Sequence, residues 1–548
     1  MTTRRVIGFV LGLLMAAHLV LLGSFQVTDF DTWWHLKQGE LYLSTRSLPA
    51  QDPFAFTTAG REWIKFSWAA DVLFYLTYRA GGAPGLVLLR LVLLCSIALA
   101  LYRILRACRL HPLASLLLVF VASLVLRFRL LVRPETVSFL FLLAALAILL
   151  HLRDAPPWTA YALLPVQVVW TNVHASFVFG IGIPGLVFLA NLLPWGWSAP
   201  GWERLRLDRA RLRHLAVAVA LLPAAGLVTP QGAALLLFPF RQNSMARLTA
   251  FAEWKEVWYL PRIDPVWWEV LIAAGIVLAA FLSTALILAA IERRGDPVGW
   301  GIVLSLGTYA VFRNRAVPHF VLAILPFLGL ALGRLADHLH RRADAPSAPW
   351  LERVGAAACL LVLGASIADQ ALLTPRLPPG FGARAGFFPE GASAFLERHR
   401  LDGRLFNAYE FGGYLIWRRW PANQVLIDGR YDAVLFDERL LQDYEAAYRS
   451  PAALDRITAA YGVDILVLNA NPTRQRIPFL DAHPAWARVY WDNVAEVFVR
   501  REGRHAGLAA DHEYRLTRAE PDLGYLAAYR ADRETWSRAV AELKRAAA

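Results

Sequence analysis

Eleven apolar stretches, joined by loops in which arginine is frequent, constrain this 548-residue chain more than any other feature. They cover residues 6–25, 85–105, 112–127, 134–151, 158–172, 175–194, 213–229, 266–291, 298–312, 318–336 and 350–372. A helix needs ~20 mainly apolar residues to cross a bilayer, so runs of this kind read as transmembrane helices. The count is least constrained at 158–172 and at Ala69 to Tyr78, an amphipathic stretch suited to the interface. Composition agrees: 57% of residues are hydrophobic, 20 are Trp, and mean hydropathy is +0.41, which places the chain among integral membrane proteins. The net charge of +13 does not point to nucleic acid, because no segment is both soluble and densely basic. Cys95, Cys108 and Cys359 lie in or beside apolar spans, with neither metal-ligand spacing nor a disulfide framework. Arg4 and Arg5 precede the first apolar run, and no small-residue cleavage site follows, so that run reads as an uncleaved first helix.

Positive charge sets the orientation. With the N-terminus cytoplasmic, Arg103, Arg106, Arg109, Arg153, the run Arg204 to Arg213, Arg293, Arg294, Arg341 and Arg342 all fall on cytoplasmic loops. The odd span count then puts everything after Leu373 outside. Two outer loops break the rule: Arg127, Arg129 and Arg133 lie on one, Arg313 and Arg315 on another. A misplaced span explains this, as does a lipid phosphate on that side, which guanidinium groups bind bidentately. Snorkelling at helix ends is the plainer role for such arginines.

Polar chemistry gathers just past the first span, in Asp29-Phe-Asp-Thr-Trp-Trp-His-Leu. Carboxylates at the lip of a transmembrane helix are candidates for a reaction centre at the water–lipid boundary. Trp33 and Trp34 suit headgroup depth. If extended, Asp29 and Asp31 share a face and can hold one divalent ion, Mg or Mn; if helical they diverge, and Asp31 neighbours His35. The stretch Phe251-Ala-Glu253-Trp254-Lys-Glu256-Val-Trp258, in the long 230–265 loop, interleaves rings and acids as a sugar site does, and as an interfacial helix does. His174, in Asn172-Val-His-Ala-Ser, reads as a hydrogen-bonded helix-end histidine or an acceptor contact.

From Pro375 to Gly386 the chain is rich in Pro and Gly, a linker. Beyond it, short apolar runs at 404–408, 425–428, 464–469 and 494–499 alternate with helix-like stretches at 391–400, 436–461 and 474–483, and the tail from 514 reads as helical. That pattern predicts a small α/β domain with a partly parallel sheet. The expected organisation is a transmembrane domain over 1–372 that includes the outer loops 26–66 and 230–265, a linker over 373–386, and a soluble extracytoplasmic domain over 387–548.

These features together resemble the GT-C superfamily of polyprenyl-phosphate-dependent glycosyltransferases. Closest is a group of bacterial multi-pass proteins with an Asp-x-Asp-x-Trp-Trp-His-Leu loop. The resemblance also rests on Asp52-Pro-Phe-Ala-Phe-Thr, Gly60-Arg-Glu-Trp, Arg133-Pro-Glu135, Tyr409-Glu-Phe-Gly-Gly-Tyr-Leu-Ile-Trp and Ile427-Asp-Gly-Arg-Tyr, and it covers about 25–500. One departure is Lys65-Phe-Ser-Trp68, where the group carries His-Glu-Trp. The resemblance implies transfer of a sugar from a polyprenyl phosphate to a glycan, lipid or protein acceptor, on the outer face of a bacterial cytoplasmic membrane, with a metal in only some members. It implies that Asp29 or Asp31 takes the acceptor's proton. Arg133, Arg313, Arg315 and His319 are then candidates for the departing phosphate, with Lys65 and Lys255 next, and His35, Glu135, His174, Glu253 and Trp254 for substrate contact. Glu135 also has a simpler use, as the partner of Arg133. The rival reading is a non-catalytic membrane protein such as a transporter or a glycan-assembly partner. Transporters usually show an internal repeat, which this chain lacks.

Overall fold

A computed structural model describes residues 3–193, 205–243, 255–263, 265, 267–292, 296–343, 349–373, 378–430, 436, 438–470, 476–520 and 523–547. The chain forms two compact units. One comprises Met1–Val27 and Ile64–Gly382; the other comprises Thr28–Trp63 and Ala383–Ala548.

The first unit is helical. Among the described residues, six helices are long and apolar enough to cross a membrane: Arg5–Gly23, Trp68–Ala107, Pro134–His151, Trp267–Glu292, Asn314–Leu339 and Arg353–Ala371. Pro112–Leu126, Ala175–Asn191 and Pro297–Phe312 are shorter and apolar. Helices Leu163–Thr171 and Arg209–Gly226 occupy the two remaining predicted spans. Ala69 to Tyr78 is helical and stands apart from the span that follows it. It lies in a short helix of its own that starts at Trp68 and is broken from the long apolar helix ending at Ala107 by the non-helical Gly82, whose φ of +60° a side chain would strain. The helix over Asn314–Leu339 has 89% of its most apolar window buried, against 17% for Arg353–Ala371. The former is therefore the axis of the unit and the latter a peripheral helix, although both are apolar. The polar side chains inside this unit are tied off locally. Arg90 donates to the Gly23 carbonyl at 2.9 Å and to the Phe25 carbonyl, satisfying acceptors that the end of the first helix leaves open. His18 meets Ser123 Oγ at 2.8 Å on one ring nitrogen and Gln370 Nε2 at 3.0 Å on the other.

The second unit is built on a five-stranded sheet: β1 (Gly403–Asn407), β2 (Asn423–Val425), β3 (Ile465–Asn469), β4 (Trp486–Trp491) and β5 (Ala495–Arg500), in the order β2-β1-β3-β5-β4. β1 runs parallel to β2 and β3, and β5 antiparallel to β3 and β4, so the sheet is partly parallel as expected. β3 is buried at every position, as a central strand covered on both faces must be. Two expectations change here. The stretch 436–461 is two helices, Glu438–Ala447 and Pro451–Tyr461, because Pro451 sits at the first turn of the second, where its missing N–H costs nothing. Trp486–Trp491, not singled out in sequence, is a strand whose two rims are closed by tryptophan.

The larger correction concerns 26–66. It is not a loop of the membrane domain: residues 28–63 fold with 383–548. They form the helix Asp31–Thr45 and a 3-10 turn, Phe56–Thr58. Ala55 bridges parallel to Val425, and Val425 N donates to the Phe54 carbonyl at 3.1 Å, so this segment extends the sheet beyond β2. Trp33 and Trp34 are buried rather than placed as interfacial anchors. Trp33 packs edge-on against Phe388 at 5.0 Å and Tyr414 at 5.2 Å. The first unit ends at Gly382, and the second resumes at Ala383.

Candidate functional site

Asp31 begins its helix, and Phe30 before it already has helical dihedrals. The extended pairing of Asp29 and Asp31 on one face is therefore not adopted. Asp29 Oδ1 instead accepts from the Asp31 backbone N–H at 3.3 Å, capping the helix start, where a negative charge is favoured. Trp34 Nε1 donates to Asp31 Oδ1 at 3.1 Å and fixes that carboxylate from one turn along. His35, buried, lies against the Trp34 ring at 3.5 Å between centroids.

Three glycines make this arrangement. A Cβ on Gly413 would stand 2.5 Å from the Phe30 carbonyl oxygen, one on Gly412 would stand 2.4 Å from the Ile427 carbonyl, and one on Gly429 would stand 2.0 Å from Asp31 Oδ1. None has a positive φ. Their role is close approach of backbone and carboxylate rather than a left-handed turn. The helix Gly412–Arg419 packs on Asp31–Thr45 through Gly413. Gly429 brings backbone directly against the Asp31 carboxylate.

Arg430 locks the same corner. It donates to Asp52 Oδ1 at 2.6 Å and Oδ2 at 3.0 Å, and to Asp428 Oδ1 at 2.8 Å and Oδ2 at 2.7 Å. Its guanidinium lies over the rings of Phe54 and Trp63. All three charged groups are buried. Burial alone lowers the guanidinium pKa, but Asp428 and Asp52 outweigh it and raise it. Asp52 also accepts from Thr58 Oγ1 at 2.6 Å and from the Phe54 N–H at 3.0 Å. Asp52, Gly429 and Arg430 were in view in sequence only as motif residues; no local signal joins positions 378 residues apart.

The membrane unit holds a second polar cluster. Residues from 127–135, 171–176 and 313–319, which the arginine pattern sets on one side of the membrane, come together. Glu135 pairs with Arg129, not Arg133: Arg129 Nε lies 3.5 Å from Oε2, and His319 Nδ1 lies 3.8 Å from Oε1. The Arg315 charge acts on the same carboxylate. His174 stacks on His319 with 6.5 Å between ring centroids and holds Ser176 Oγ at 2.8 Å, so it is the hydrogen-bonded helix-end histidine. Glu135 and His319 are buried, and Glu135 Oε1 has no hydrogen-bond partner among the described residues. Such an atom calls for a ligand or water.

Of the remaining candidates, some flank this cluster and others lie elsewhere. Arg133 is the residue before Pro134–His151, half-exposed. Arg313 donates to the neighbouring Phe312 carbonyl at 3.0 Å. Asn314 Nδ2 donates to the Lys255 carbonyl at 3.1 Å, which ties the Lys255 segment to this loop. Lys65 is buried, with its backbone N–H on Gln231 Oε1 at 2.8 Å. Glu253 and Trp254 lie outside the described residues.

No family model matches the chain, and no curated protein matches it in sequence. Solved structures do match in fold. The archaeal oligosaccharyltransferase AglB from Archaeoglobus fulgidus, in complex with an inhibitory peptide and a dolichol-phosphate, has a TM-score of 0.59 at 11% identity, over 91% of this chain and 75% of its own. The same oligosaccharyltransferase in complex with Zn and sulfate scores 0.56 at 11% identity, over 90% and 73%. The mycobacterial arabinofuranosyltransferase AftD scores 0.50 at 16% identity, over 89% of this chain and 41% of its own. These are GT-C glycosyltransferases. The fold of the chain is the GT-C fold. It fits the helical character of the first unit and makes the chain a polytopic membrane protein.

A GT-C neighbour solved with zinc raises the question of a metal here. Among the described residues no group of three or more His, Cys, Asp or Glu side chains is placed to hold one. Asp31 Oδ1 is already engaged by Trp34, and Asp29 Oδ1 by the helix start. These two carboxylates do not make an ion cage, so no step is routed through a metal.

Proposed function

We propose that the chain is a membrane glycosyltransferase that moves a sugar from a polyprenyl phosphate to an acceptor on the outer face of a bacterial cytoplasmic membrane. The observation that carries this reading is the GT-C fold over nine-tenths of the chain, shared with an oligosaccharyltransferase solved in complex with dolichol-phosphate. Two features support it. One is the Asp31 carboxylate held by Trp34 against Gly429, the rigid seating a proton acceptor needs. The other is the buried polar cluster around Glu135 and His319, in which Glu135 Oε1 has no hydrogen-bond partner among the described residues.

In this reading Asp29 or Asp31 takes the proton from the acceptor's O–H or N–H as that atom attacks the anomeric carbon. The new bond forms as the bond from carbon to phosphate oxygen breaks, and polyprenyl phosphate leaves with both electrons. Arg315 and His319, with Arg133 and Arg313, neutralise the departing charge. His35, Glu135, His174, Glu253 and Trp254 contact or position the sugar and acceptor. The segment after Leu373 lies outside the cytoplasm, so a reporter fused there is active only on the exterior.

The test has two parts. Native mass spectrometry of the purified chain should show bound polyprenyl phosphate in the wild type and less in Arg315→Ala and His319→Ala. Transfer of labelled sugar from synthetic polyprenyl-phosphate sugars should fall roughly a hundredfold in Asp29→Asn or Asp31→Asn, whichever is the base. Wild-type transfer in both Asn variants would remove the base assignment. Failure to carry the lipid at all would favour the non-catalytic reading.

A further inference from the structure

The cap that His174 makes uses only one side of its ring. His174 precedes the turn Ala175–Phe177, and its Nδ1 lies 3.2 Å from the Ser176 backbone nitrogen and 2.8 Å from Ser176 Oγ. The Ser176 hydroxyl can give its proton to Nδ1 or to Ser138 Oγ, 3.1 Å away. The Ser176 backbone N–H has no such choice. It can only donate, so Nδ1 accepts. A neutral imidazole carries one proton, and here that proton is assigned to Nε2. Trp170 Nε1 donates to Ser176 Oγ at 3.1 Å, which holds the serine and with it the ring.

The other side of the ring is uncommitted. No described residue accepts from His174 Nε2, although the side chain is only 7% exposed. Nε2 is not sealed off either, in contrast to Glu135 Oε1 of the same cluster. The ring lies nearly parallel to that of His319, with 10° between planes and 6.5 Å between centroids. Burial holds the His174 pKa below the ordinary histidine value, against the pull of Glu135. The ring is therefore neutral around pH 7.

This tautomer decides what His174 can do. Its acceptor nitrogen is turned to Ser176, so the ring cannot take a proton from an acceptor through Nε2. It can give a hydrogen bond to an oxygen lone pair without adding charge, as a preorganised donor does. The charge of Arg315 acts on both histidine rings, so both belong to one polar space. We propose that His174 Nε2–H donates to an oxygen of the departing polyprenyl phosphate. The proposal rests on the transfer reading, and it assigns the contact of His174 to the phosphate rather than to the sugar or acceptor. As the bond from the anomeric carbon to phosphate oxygen breaks, the oxygen takes the electron pair and the hydrogen bond strengthens. His174 keeps its proton throughout.

Two measurements on the full chain in nanodiscs test this. Solid-state 15N NMR of histidine-labelled protein, assigned by the signal lost in His174→Gln, should show a protonated Nε2 and a bare Nδ1 from about pH 5 to about pH 8. A protonated Nδ1 overturns the proposal. The second measurement follows retained polyprenyl phosphate in native mass spectra and sugar transfer. His174→Phe keeps a ring and loses the donor, and both readouts should fall about tenfold or more. His174→Gln restores an N–H at the reach of Nε2 and should recover most of that loss, with the pH profile of transfer unshifted. Wild-type behaviour in His174→Phe, or an equal loss in His174→Gln, overturns the donor role. Phosphatidylglycerol or inorganic phosphate that displaces the polyprenyl phosphate at equal concentration overturns the assignment to the lipid-linked donor. Wild type that retains no polyprenyl phosphate overturns the transfer reading and this assignment together; wild type that retains it, with His174→Phe retaining as much, overturns this one alone.

Discussion

The two units differ in how some of their most buried polar groups are tied. In the sheet unit a buried charge meets opposite charge: Arg430 is clamped by Asp52 and Asp428, and Arg488 lies 3.1 Å from Glu496. Inside the membrane unit Arg90 and His18 tie instead to neutral groups, Arg90 to backbone carbonyls and His18 to Ser123 and Gln370, while Arg127 reaches Glu269 at 3.4 Å. A polar side chain in an apolar helix is cheaper to keep where a neighbouring helix supplies its partner. The cluster of Glu135, Arg129 and His319 is more deeply buried than the other ion pairs of the membrane unit, and Glu135 Oε1 has no hydrogen-bond partner among the described residues, which suits a group kept for a ligand.

The contrast is sharpest at Arg430. Arg430→Met should destabilise the sheet unit by about 3–5 kcal/mol, because two buried carboxylates lose the cation that pairs with both; chemical denaturation followed by tryptophan fluorescence measures it. A cost under ~1 kcal/mol would show that the triad is not the structural lock described above.

Glu135→Gln should cost less stability, about 1–2 kcal/mol, since its contacts at 3.5 and 3.8 Å are looser than those of Arg430. Its larger effect should be on retained polyprenyl phosphate in native mass spectra. If stability falls as far as in Arg430→Met and lipid binding does not change, Glu135 is structural and is not kept for a ligand.

His18→Leu should cost about 0.6–2 kcal/mol in a detergent-unfolding series, the modest range of hydrogen bonds between membrane helices. A loss equal to that at Arg430 would mean that the neutral polar ties matter as much as the ionic ones.

The smallest effect is on pH dependence. His399 sits at the end of the helix Glu390–Arg398, its ring 4.8 Å from that of His512. Burial, then the charges of His512 and Arg398, hold its pKa below the ordinary histidine value. The unfolded chain therefore takes the proton first as pH falls. Stability is retained above about pH 6.5 and declines below it. The melting temperature of the sheet unit should drop slightly on acidification, and His399→Gln should flatten that slope. A slope that persists in the variant would assign it to other groups.

Much of the membrane unit was legible because hydropathy is a local property. The run 134–151 is the helix Pro134–His151, and 298–312 and 112–127 fall within a residue or so of their helices. β1, β3 and β5 were legible for a similar reason, since each is a short apolar run bounded by turn residues. What was not legible is pairing over distance. Asp31–Thr45 reads as polar loop because its buried residues, from Thr32 to Tyr42, include a threonine, a histidine, a glutamine and a glycine and are interrupted by Lys37 and Glu40. Its apolar face makes sense only against Phe388 and Tyr414, more than three hundred residues away. The choice of Arg129 over Arg133 for Glu135 was illegible too: both are near in sequence, and only the turn Arg127–Arg129 selects between them.

The link between Asp52 and Arg430 also has a meaning in time. Asp52 leaves the ribosome 378 residues before its partner. At roughly 5–20 residues per second, that is a wait on the order of 20–75 seconds. During it the chain has to thread its whole membrane portion while the acidic segment stays without its sheet. The Asp31 carboxylate acquires its seat against Gly429 only when synthesis is nearly complete. A chain cut short anywhere in the membrane portion carries the acid but not its aim, so the reaction centre proposed for this protein is assembled last and is silent in every truncated product.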